Sequence, residues 1–283
     1  MIERLSGFDL RDCVLRIELK SEPMKDTMDN TQHPVHNLPA PQIERVRHEL
    51  RRRSLTVADV TDITPGMRRV VLTGDDLADF VSLAPDDHVK IFVSTPEGEE
   101  RRDYTPRRYD NDARTLTIDF ALHEAGPVTQ WALDATPGAT LAIGGPRGSA
   151  VVSTSVKRWL LIGDETALPA MGRRIEESDA ATVITAIAAV ADPSERQTFD
   201  TKAELNLHWA ERRLADATDA TSLLEVLRDV QIQPGTFVWV AAEASVARAV
   251  REYLVTERGY PLPWIKASGY WVKGKADTTE KFE

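Results

Sequence analysis

Arg102-Asp103-Tyr104-Thr105-Pro106-Arg107 (RDYTPR) joins two alternating, strand-like runs, and the first half of the sequence is organised around it. Arginine can pair with a phosphate through two parallel hydrogen bonds, and a tyrosine ring can lie against a flat heterocycle. A threonine hydroxyl can hydrogen-bond a ring nitrogen. A flavin nucleotide offers all three partners. The same residues also fit a polar edge strand that runs into a proline turn, so the stretch alone leaves both interpretations open.

Period-two patterns surround this stretch. From residue 55 to about residue 153, apolar and polar positions alternate in short runs that are separated by turns such as Thr64-Pro65-Gly66. Strands are predicted at residues 54–61, 67–73, 89–93, 116–122 and 140–143. Closely spaced strands of this kind are typical of a small antiparallel barrel.

One helix interrupts the β pattern. It is predicted over residues 128–135, and Pro127 suits the first helical position after Gly126. Free backbone N–H groups and the helix dipole would favour a phosphate at this start. A helix that merely plugs the barrel fits the sequence as well. The loop 144–148 is rich in glycine, which permits a close backbone approach.

From Arg158 onward, strands alternate with helices, a pattern typical of a parallel sheet. The predicted strands are residues 159–162, 182–190, 204–209, 236–241 and 264–271, and the predicted helices are residues 167–177, 221–230 and 244–258. Thr166 is the predicted N-cap of the first helix.

A second candidate site lies where the first strand of this half meets its helix, at Gly163-Asp164-Glu165-Thr166. Open α/β sheets bind ligands at the carboxyl ends of their strands. The glycine would let a ligand approach the backbone, and the helix start suits a phosphate. The acidic pair is expected to face ribose hydroxyls, nicotinamide or solvent.

These patterns predict an N-terminal extension (1–44), a barrel domain (45–155), an α/β domain (156–275) and a tail (276–283). Within the extension, His33 and His36 lie in a polar, proline-containing segment and are interpreted as part of a linker rather than a metal site. The arginine-rich run 45–53 is interpreted as a solvated face ahead of the first strand, with attraction of an anionic partner as the alternative.

Composition excludes several classes of protein. The 283 residues carry a net charge of −10, which disfavours a nucleic-acid binder. No apolar run is long enough to span a membrane, and the start of the chain lacks the charged-then-apolar order of a secretory signal, so a cytoplasmic protein without stable membrane association is expected. A monomer is the expected oligomeric state. Cys13 is the only cysteine, which excludes an internal disulfide and a cysteine-ligated cluster. Electron transfer would therefore require an organic cofactor, and no protein-bound metal is predicted.

Six blocks, in this order, resemble the siderophore-interacting protein family, flavin-dependent ferric-siderophore reductases related to ferredoxin reductases. The blocks are RDYTPR (102–107), TIDFALH (117–123), GPVTQWA (126–132), GPRGS (145–149), GDETALPA (163–170) and SGYWVKG (268–274). The resemblance implies a two-domain, ferredoxin-reductase-like fold: an FAD-binding antiparallel β-barrel followed by an NAD(P)H-binding α/β parallel-sheet domain. The periodicities predict the same order of domains. Residues 1–44 lie outside the resemblance.

Matched by position, the resemblance implies roles for individual residues. Arg102 would meet a phosphate, while Tyr104 and Thr105 would contact the isoalloxazine. The other implied FAD contacts are Asp119, Ala121 and His123 on the next strand, Gly126, Pro127, Val128 and Thr129 at the pyrophosphate turn, and the aromatic residues Tyr270 and Trp271. The implied contacts to the nicotinamide nucleotide are Gly163, Asp164, Glu165 and Thr166. The family often shows two basic residues where this chain has Val272 and Lys273, which weakens the case for basic contacts there.

The activity that the resemblance implies is electron transfer from NAD(P)H through FAD to a ferric siderophore, which frees Fe(II) in the cytoplasm. The cofactor carries this chemistry, so no side chain need act as acid or base. The substrate is bulky and often anionic, and the cations predicted to line its pocket are Lys90, Arg147, Lys266 and Lys273. Ser194 and Arg196 follow the second α/β strand and could meet a 2′-phosphate, which favours NADPH over NADH. Ferredoxin is an alternative electron donor.

Two other functions stay open on the sequence. One is a reductase of the same fold that acts on free flavin or another acceptor, which a loosely held flavin would favour. The other is a siderophore-binding protein or iron chaperone without turnover.

Overall fold

The alternating runs of the first half form a seven-stranded antiparallel sheet in the computed structural model, which describes residues 38–122 and 126–282. After β1 (Ile43–Arg47), the strands of this sheet are β2 (Arg52–Thr64), β3 (Met67–Thr73), β4 (Val89–Thr95), β5 (Gly98–Tyr104), β6 (Arg108–Asp110), β7 (Thr115–Ala121) and β8 (Thr140–Gly144). Their order is β5-β4-β8-β2-β3-β7-β6. Residues 105–107 lead directly from β5 at one edge to β6 at the other, so the sheet closes into the predicted barrel.

The barrel encloses an apolar core because alternate residues of each strand point inward. Leu72, Ile118 and Phe120 are among its fully buried side chains. Helix α1 (Pro127–Asp134) packs against this core, and the ring centroid of Trp131 lies 5.8 Å from that of Phe120. The predicted helix is therefore present, and it covers part of the barrel interior.

The structure does not place the arginine-rich run 45–53 ahead of the first strand, as the sequence analysis interpreted it. Its beginning belongs to β1, which pairs antiparallel with β9 (Gly148–Val152), so the predicted extension 1–44 overlaps a strand. Arg53, on β2, is buried. Its guanidinium donates hydrogen bonds to the carbonyls of Asp76 at 2.9 Å and Gly145 at 3.1 Å. Burial of this charge is tolerated because backbone acceptors surround it.

The second half forms a six-stranded sheet. Its strands are β10 (Arg158–Gly163), β11 (Val183–Val190), β12 (Glu204–Glu211), β13 (Thr236–Glu243), β14 (Ile265–Trp271) and β15 (Glu280–Lys281), in the order β12-β11-β10-β13-β14-β15. All neighbours are parallel except β15, which runs antiparallel to β14. The parallel sheet confirms the prediction, whereas the sequence did not predict strand β15 in the tail.

Three helices accompany this sheet, and each lies within two residues of its predicted bounds. They are α2 (Leu168–Glu177), α3 (Thr221–Asp229) and α4 (Ala244–Thr256). Right-handed crossovers place α2 on one face of the sheet and α3 and α4 on the other. None of the helices within the described residues is long and apolar enough to cross a membrane.

The predicted N-cap of α2 is wrong by one residue. The helix begins after Ala167, and no side chain caps it. The Thr166 hydroxyl instead donates to Asp164 Oδ1 at 2.6 Å, and the Thr166 amide donates to the same oxygen at 3.0 Å. Short polar side chains readily form such local turns in place of a helix cap.

Helix α2 also packs against the barrel. Arg173 is buried and donates to the Ser82 hydroxyl at 2.8 Å and to the Pro106 carbonyl at 3.0 Å. Arg107 donates to Glu176 of α2 at 2.5 Å. These contacts hold the C-terminal half of α2 next to the RDYTPR stretch.

Candidate functional site

Tyr104 joins the two segments that the sequence singles out in the barrel. Its ring centroid lies 4.5 Å from that of Phe120, and its hydroxyl lies next to Thr129 near the start of α1. Burial raises the pKa of Tyr104 to about 12, although the neighbouring Arg102 and Thr129 oppose the shift. The phenol therefore stays neutral at physiological pH and keeps its proton for hydrogen bonding.

The start of α1 leaves backbone donors free for a ligand. Gly126 is the N-cap and supplies no side-chain acceptor, and Pro127 follows as the first helical residue. Among the described residues other than its chain neighbours, no atom lies within 4 Å of the position that a Cβ on Gly126 would take. The amides of Val128 and Thr129 and the positive end of the helix dipole suit a phosphate.

Arg102 completes this group of donors. It lies two residues before Tyr104 on β5, so the two side chains share one face of the strand. Its guanidinium donates to Glu100 at 2.8 Å and to the Arg101 carbonyl at 2.7 Å. Both contacts are local and partly exposed, so an incoming phosphate can replace them. A guanidinium, two uncapped amides and a buried aromatic hydroxyl together fit a flavin nucleotide, with Arg102 and the helix start on its phosphates.

The other residues of the barrel that were predicted to contact FAD do not lie in one common environment. Thr105 is buried beside Tyr104. The Asp119 carboxylate accepts two hydrogen bonds of 2.7 Å from Arg69 and lies 3.5 Å from Arg107. Ala121 is buried and packs with the core of the α/β half. His123 lies outside the described residues. Asp119 is therefore already neutralised by two arginines in this structure.

Gly163, at the carboxyl end of β10, allows the backbone of the strand to pack closely against its neighbours. A Cβ on Gly163 would lie 2.5 Å from Ala167 Cβ and 2.8 Å from the Ala241 carbonyl oxygen. A glycine is therefore required here for close contact between α2 and the sheet, and its expected contact with a ligand stays a prediction.

Asp164 connects the C-terminal aromatic pair to the same end of the sheet. Its Oδ2 accepts a hydrogen bond of 3.0 Å from Trp271 Nε1 and one of 2.8 Å from the Glu243 amide. Trp271 thus lies beside the Gly163–Thr166 segment. The ring of Tyr270 stacks edge-on against Trp239, and its buried hydroxyl has no hydrogen-bond partner among the described residues.

The sequence analysis missed Arg212, which pairs with Glu165 at 2.7 Å. Arg212 is only 6% exposed, and it follows β12 at the carboxyl edge of the sheet. Burial, and then the neighbouring Asp164, raise the pKa of Glu165 to about 7, while Arg212 opposes the shift. The signal that could have found Arg212 is its place just beyond a predicted strand, where α/β sheets bind ligands.

Replacing Glu165 by glutamine is expected to change how stability depends on pH. The ordinary glutamate pKa is 4.5, and the folded protein raises it to about 7. Between these values the folded protein keeps a proton that the unfolded chain has lost, so Glu165 contributes stability at low pH that disappears as pH rises through about 7. From about pH 5 to about pH 8, E165Q should therefore gain roughly 2 kcal/mol relative to the unmodified protein.

Urea unfolding at the two pH values measures this change. The informative quantity is the change in unfolding free energy between the two pH values, because any pH-independent cost of altering the Arg212 contact cancels in that change. Parallel pH profiles for E165Q and the unmodified protein would show that the carboxyl is ionised throughout.

Ser194 and Arg196 follow β11 at the same edge of the sheet. The Ser194 hydroxyl donates to Asp192 at 2.6 Å, and Arg196 pairs with Glu211 at 2.5 Å in an exposed position. Between them, Glu195 accepts a hydrogen bond of 2.6 Å from Thr64 of the barrel. The structure brings both predicted residues to the carboxyl edge next to β10, with Arg196 in an ion pair that solvent can exchange.

Three of the four predicted substrate cations have partners within the described residues. Lys90 pairs with Asp103 at 3.0 Å, and Lys266 pairs with Asp86 at 2.5 Å. Lys273 donates to the Ala215 carbonyl at 2.9 Å. The fourth cation, Arg147, is exposed.

Family models match both halves of the chain. The model described as the siderophore-interacting FAD-binding domain matches residues 56–101 and 97–150. The model described as siderophore-interacting protein matches residues 156–274.

Individual proteins match over most of the chain. The NADPH-dependent ferric-chelate reductase of Escherichia coli (strain K12) is 33% identical and covers 81% of this chain, with 96% of that protein matched. The crystal structure of a siderophore utilization protein from T. fusca is 36% identical, with a TM-score of 0.77, and covers 84% of this chain and 98% of that one. The structure of the ferredoxin reductase in carbazole 1,9a-dioxygenase is 16% identical, with a TM-score of 0.60, and covers 77% of this chain and 69% of that one. This similarity confirms the predicted ferredoxin-reductase-like fold.

Proposed function

Because this chain belongs to the siderophore-interacting protein family, we propose that it passes electrons from NADPH through bound FAD to a ferric siderophore and releases Fe(II). The chain is an oxidoreductase, as the resemblance implied. The substrate, the cofactors and the electron path are the parts that we propose.

The observation that carries the proposal is that Tyr104 of β5 lies next to Thr129 of α1. It brings the RDYTPR stretch to the open start of α1, so that Arg102, the helix amides and an aromatic ring lie within one site. A phosphate-binding start next to a buried aromatic hydroxyl suits a flavin nucleotide better than a bare anion.

The chain's own residues would bind the flavin and orient it. Arg102 and the amides of Val128 and Thr129 would hold the pyrophosphate, and Tyr104 would contact the ring system. When bound, the flavin accepts two electrons from a nicotinamide and passes them on singly to ferric iron. Ferrous iron binds the hard oxygen ligands of siderophores less tightly than ferric iron, so reduction releases it.

The electron donor would bind at the carboxyl edge of the α/β sheet. Ser194 and Arg196 lie there beside β10, and Arg196 can leave Glu211 for a 2′-phosphate. The E. coli relative carries NADPH in its name. We therefore propose NADPH as the donor, bound between this edge and Trp271.

Anaerobic addition of NADPH to the purified holoprotein tests the function. The yellow absorbance of the flavin should bleach, and a ferric siderophore added next should restore it while a chelator captures Fe(II). NADH in a parallel reaction should bleach the flavin more slowly. A flavin that stays oxidised with both nucleotides but bleaches with reduced ferredoxin would identify ferredoxin as the donor. A protein that binds the siderophore without any bleaching would be a binding protein and would overturn the proposal.

A further inference from the structure

The loop that follows β11 carries acidic residues next to the candidate 2′-phosphate residues. Asp192 precedes Ser194, and Glu195 lies between Ser194 and Arg196. In dinucleotide-binding α/β domains, a carboxylate after the second strand hydrogen-bonds the ribose 2′-hydroxyl of NAD, whereas an arginine there accommodates the 2′-phosphate of NADP. The loop therefore carries side chains that suit either nucleotide, and the choice depends on which of them can reach the ribose.

Both carboxylates are engaged in other contacts. Asp192 Oδ1 accepts hydrogen bonds from the Ser194 amide at 2.8 Å and from the Ser194 hydroxyl at 2.6 Å, within its own turn. Glu195 points to the barrel instead, where its Oε2 accepts a hydrogen bond of 2.6 Å from the Thr64 hydroxyl. Arg196, by contrast, is 46% exposed beside Glu211. The arginine is therefore accessible to a ligand, whereas the Glu195 carboxylate is held against the barrel.

The barrel turn Thr64-Pro65-Gly66 has the shape that this carboxylate needs. A Cβ on Gly66 would lie 2.9 Å from Glu195 Oε2 and 3.0 Å from Glu195 Cδ, so the carboxylate rests where a larger residue would place its side chain. Met67, the next residue, is 1% exposed and packs in the core of the α/β half, which fixes the turn against that half. The hydroxyl donor and the glycine are independent features, and the same turn supplies both.

We infer that the turn Thr64-Pro65-Gly66 is a specificity-determining element for the nicotinamide nucleotide, because it keeps the Glu195 carboxylate away from the ribose and leaves Arg196 for a 2′-phosphate. The inference rests on the proposed function and assigns part of the choice of electron donor to the barrel domain. A carboxylate released from the turn would lie on the same short loop as Arg196. There it would repel a 2′-phosphate and accept a hydrogen bond from a 2′-hydroxyl, so the turn acts by removing a repulsive group.

Equilibrium binding of NADP⁺ and NAD⁺ to the oxidised holoprotein, followed by isothermal titration calorimetry, tests this inference without electron transfer. The two probes differ only in the 2′-phosphate. The variant G66A should displace the carboxylate and keep the fold, because Gly66 has no left-handed φ and the added methyl group meets the end of a flexible side chain. It should bind NADP⁺ about tenfold more weakly, while its Kd for NAD⁺ rises by less than about twofold.

Three further variants make the test specific. T64V removes the hydroxyl donor at nearly constant shape and should shift the ratio of the two Kd values in the same direction by about threefold. E195Q alone should leave both Kd values within about twofold, since the turn already holds the charge away. The double variant G66A/E195Q keeps the added methyl group without the charge, so its Kd for NADP⁺ should return to within about twofold of the unmodified protein.

An unchanged ratio of the two Kd values in G66A would overturn the inference, and T64V, which adds no bulk to the turn, decides the question if G66A folds poorly. Equal weakening in G66A and G66A/E195Q would also overturn it, since a displaced loop rather than a charge would produce that result. Tighter binding of NAD⁺ than of NADP⁺ by the unmodified protein would do the same. Failure of NADPH to bleach the flavin would count against the proposed function alone.

Discussion

An Arg173→Ala variant is expected to lose about 3 kcal/mol of unfolding free energy, because the substitution removes a buried guanidinium that hydrogen-bonds several groups of the barrel. Arg173 is 3% exposed, and its guanidinium donates to the Ser82 hydroxyl, the Ser82 carbonyl and the Pro106 carbonyl. It also pairs with Glu177 one turn along α2. The Tyr109 hydroxyl also donates to the Ser82 carbonyl at 3.2 Å, so that acceptor keeps one donor, whereas the Pro106 carbonyl has no second donor in the described contacts.

Urea unfolding of the holoprotein, followed by circular dichroism, measures this loss. Arg213→Ala is the matched control, since Arg213 is 81% exposed and pairs only locally with Asp216. The control should change the unfolding free energy by less than about 0.5 kcal/mol. Equal losses in the two variants would mean that the contacts of Arg173 with the barrel contribute no more than a surface ion pair.

The two sheets could be predicted because their signals are local. The alternation of Leu116, Ile118 and Phe120 faces one interior, and the apolar stripe of α4 faces another. Helix α2 was also predicted, but its N-cap was not, because Asp164 competes for the Thr166 hydroxyl. Competition between adjacent polar groups depends on the loop conformation, which no periodicity reports.

The contacts of the site that could not be predicted join residues that lie far apart along the sequence. Tyr104 and Thr129 each belong to a segment that the sequence identified, and the fold brings them together. Arg212 and Asp277 were not identified, because their partners lie 47 and 187 residues away along the chain. A charged residue near a strand end or in a tail is most often solvated, and only the closed fold pairs it with a partner.

An Arg102→Ala variant is expected to bind FAD about 100-fold more weakly than the unmodified protein, because a hydrogen-bonded ion pair to a phosphate is lost from a partly buried site. Tyr104→Phe keeps the ring but removes the hydroxyl that meets Thr129, and it should weaken FAD binding by about fivefold. Both variants should fold, since the contacts of Arg102 with Glu100 and the Arg101 carbonyl are local. The flavin content after purification and the Kd from titration of the apoprotein measure the effect.

Arg101→Ala is the matched control for Arg102→Ala. Arg101 is the neighbouring residue of β5, is 63% exposed and lies on the opposite face of the strand, beside Asp277. It should leave FAD binding within about twofold of the unmodified protein while removing the same charge from the same strand. If the flavin site is correctly placed, the two variants should differ strongly in their Kd for FAD. A general electrostatic effect cannot produce this difference, because both variants lose the same charge from the same strand. If both variants retained the yellow cofactor equally, the phosphate would lie elsewhere, and the face of β5 that carries Arg102 and Tyr104 would not be the flavin site.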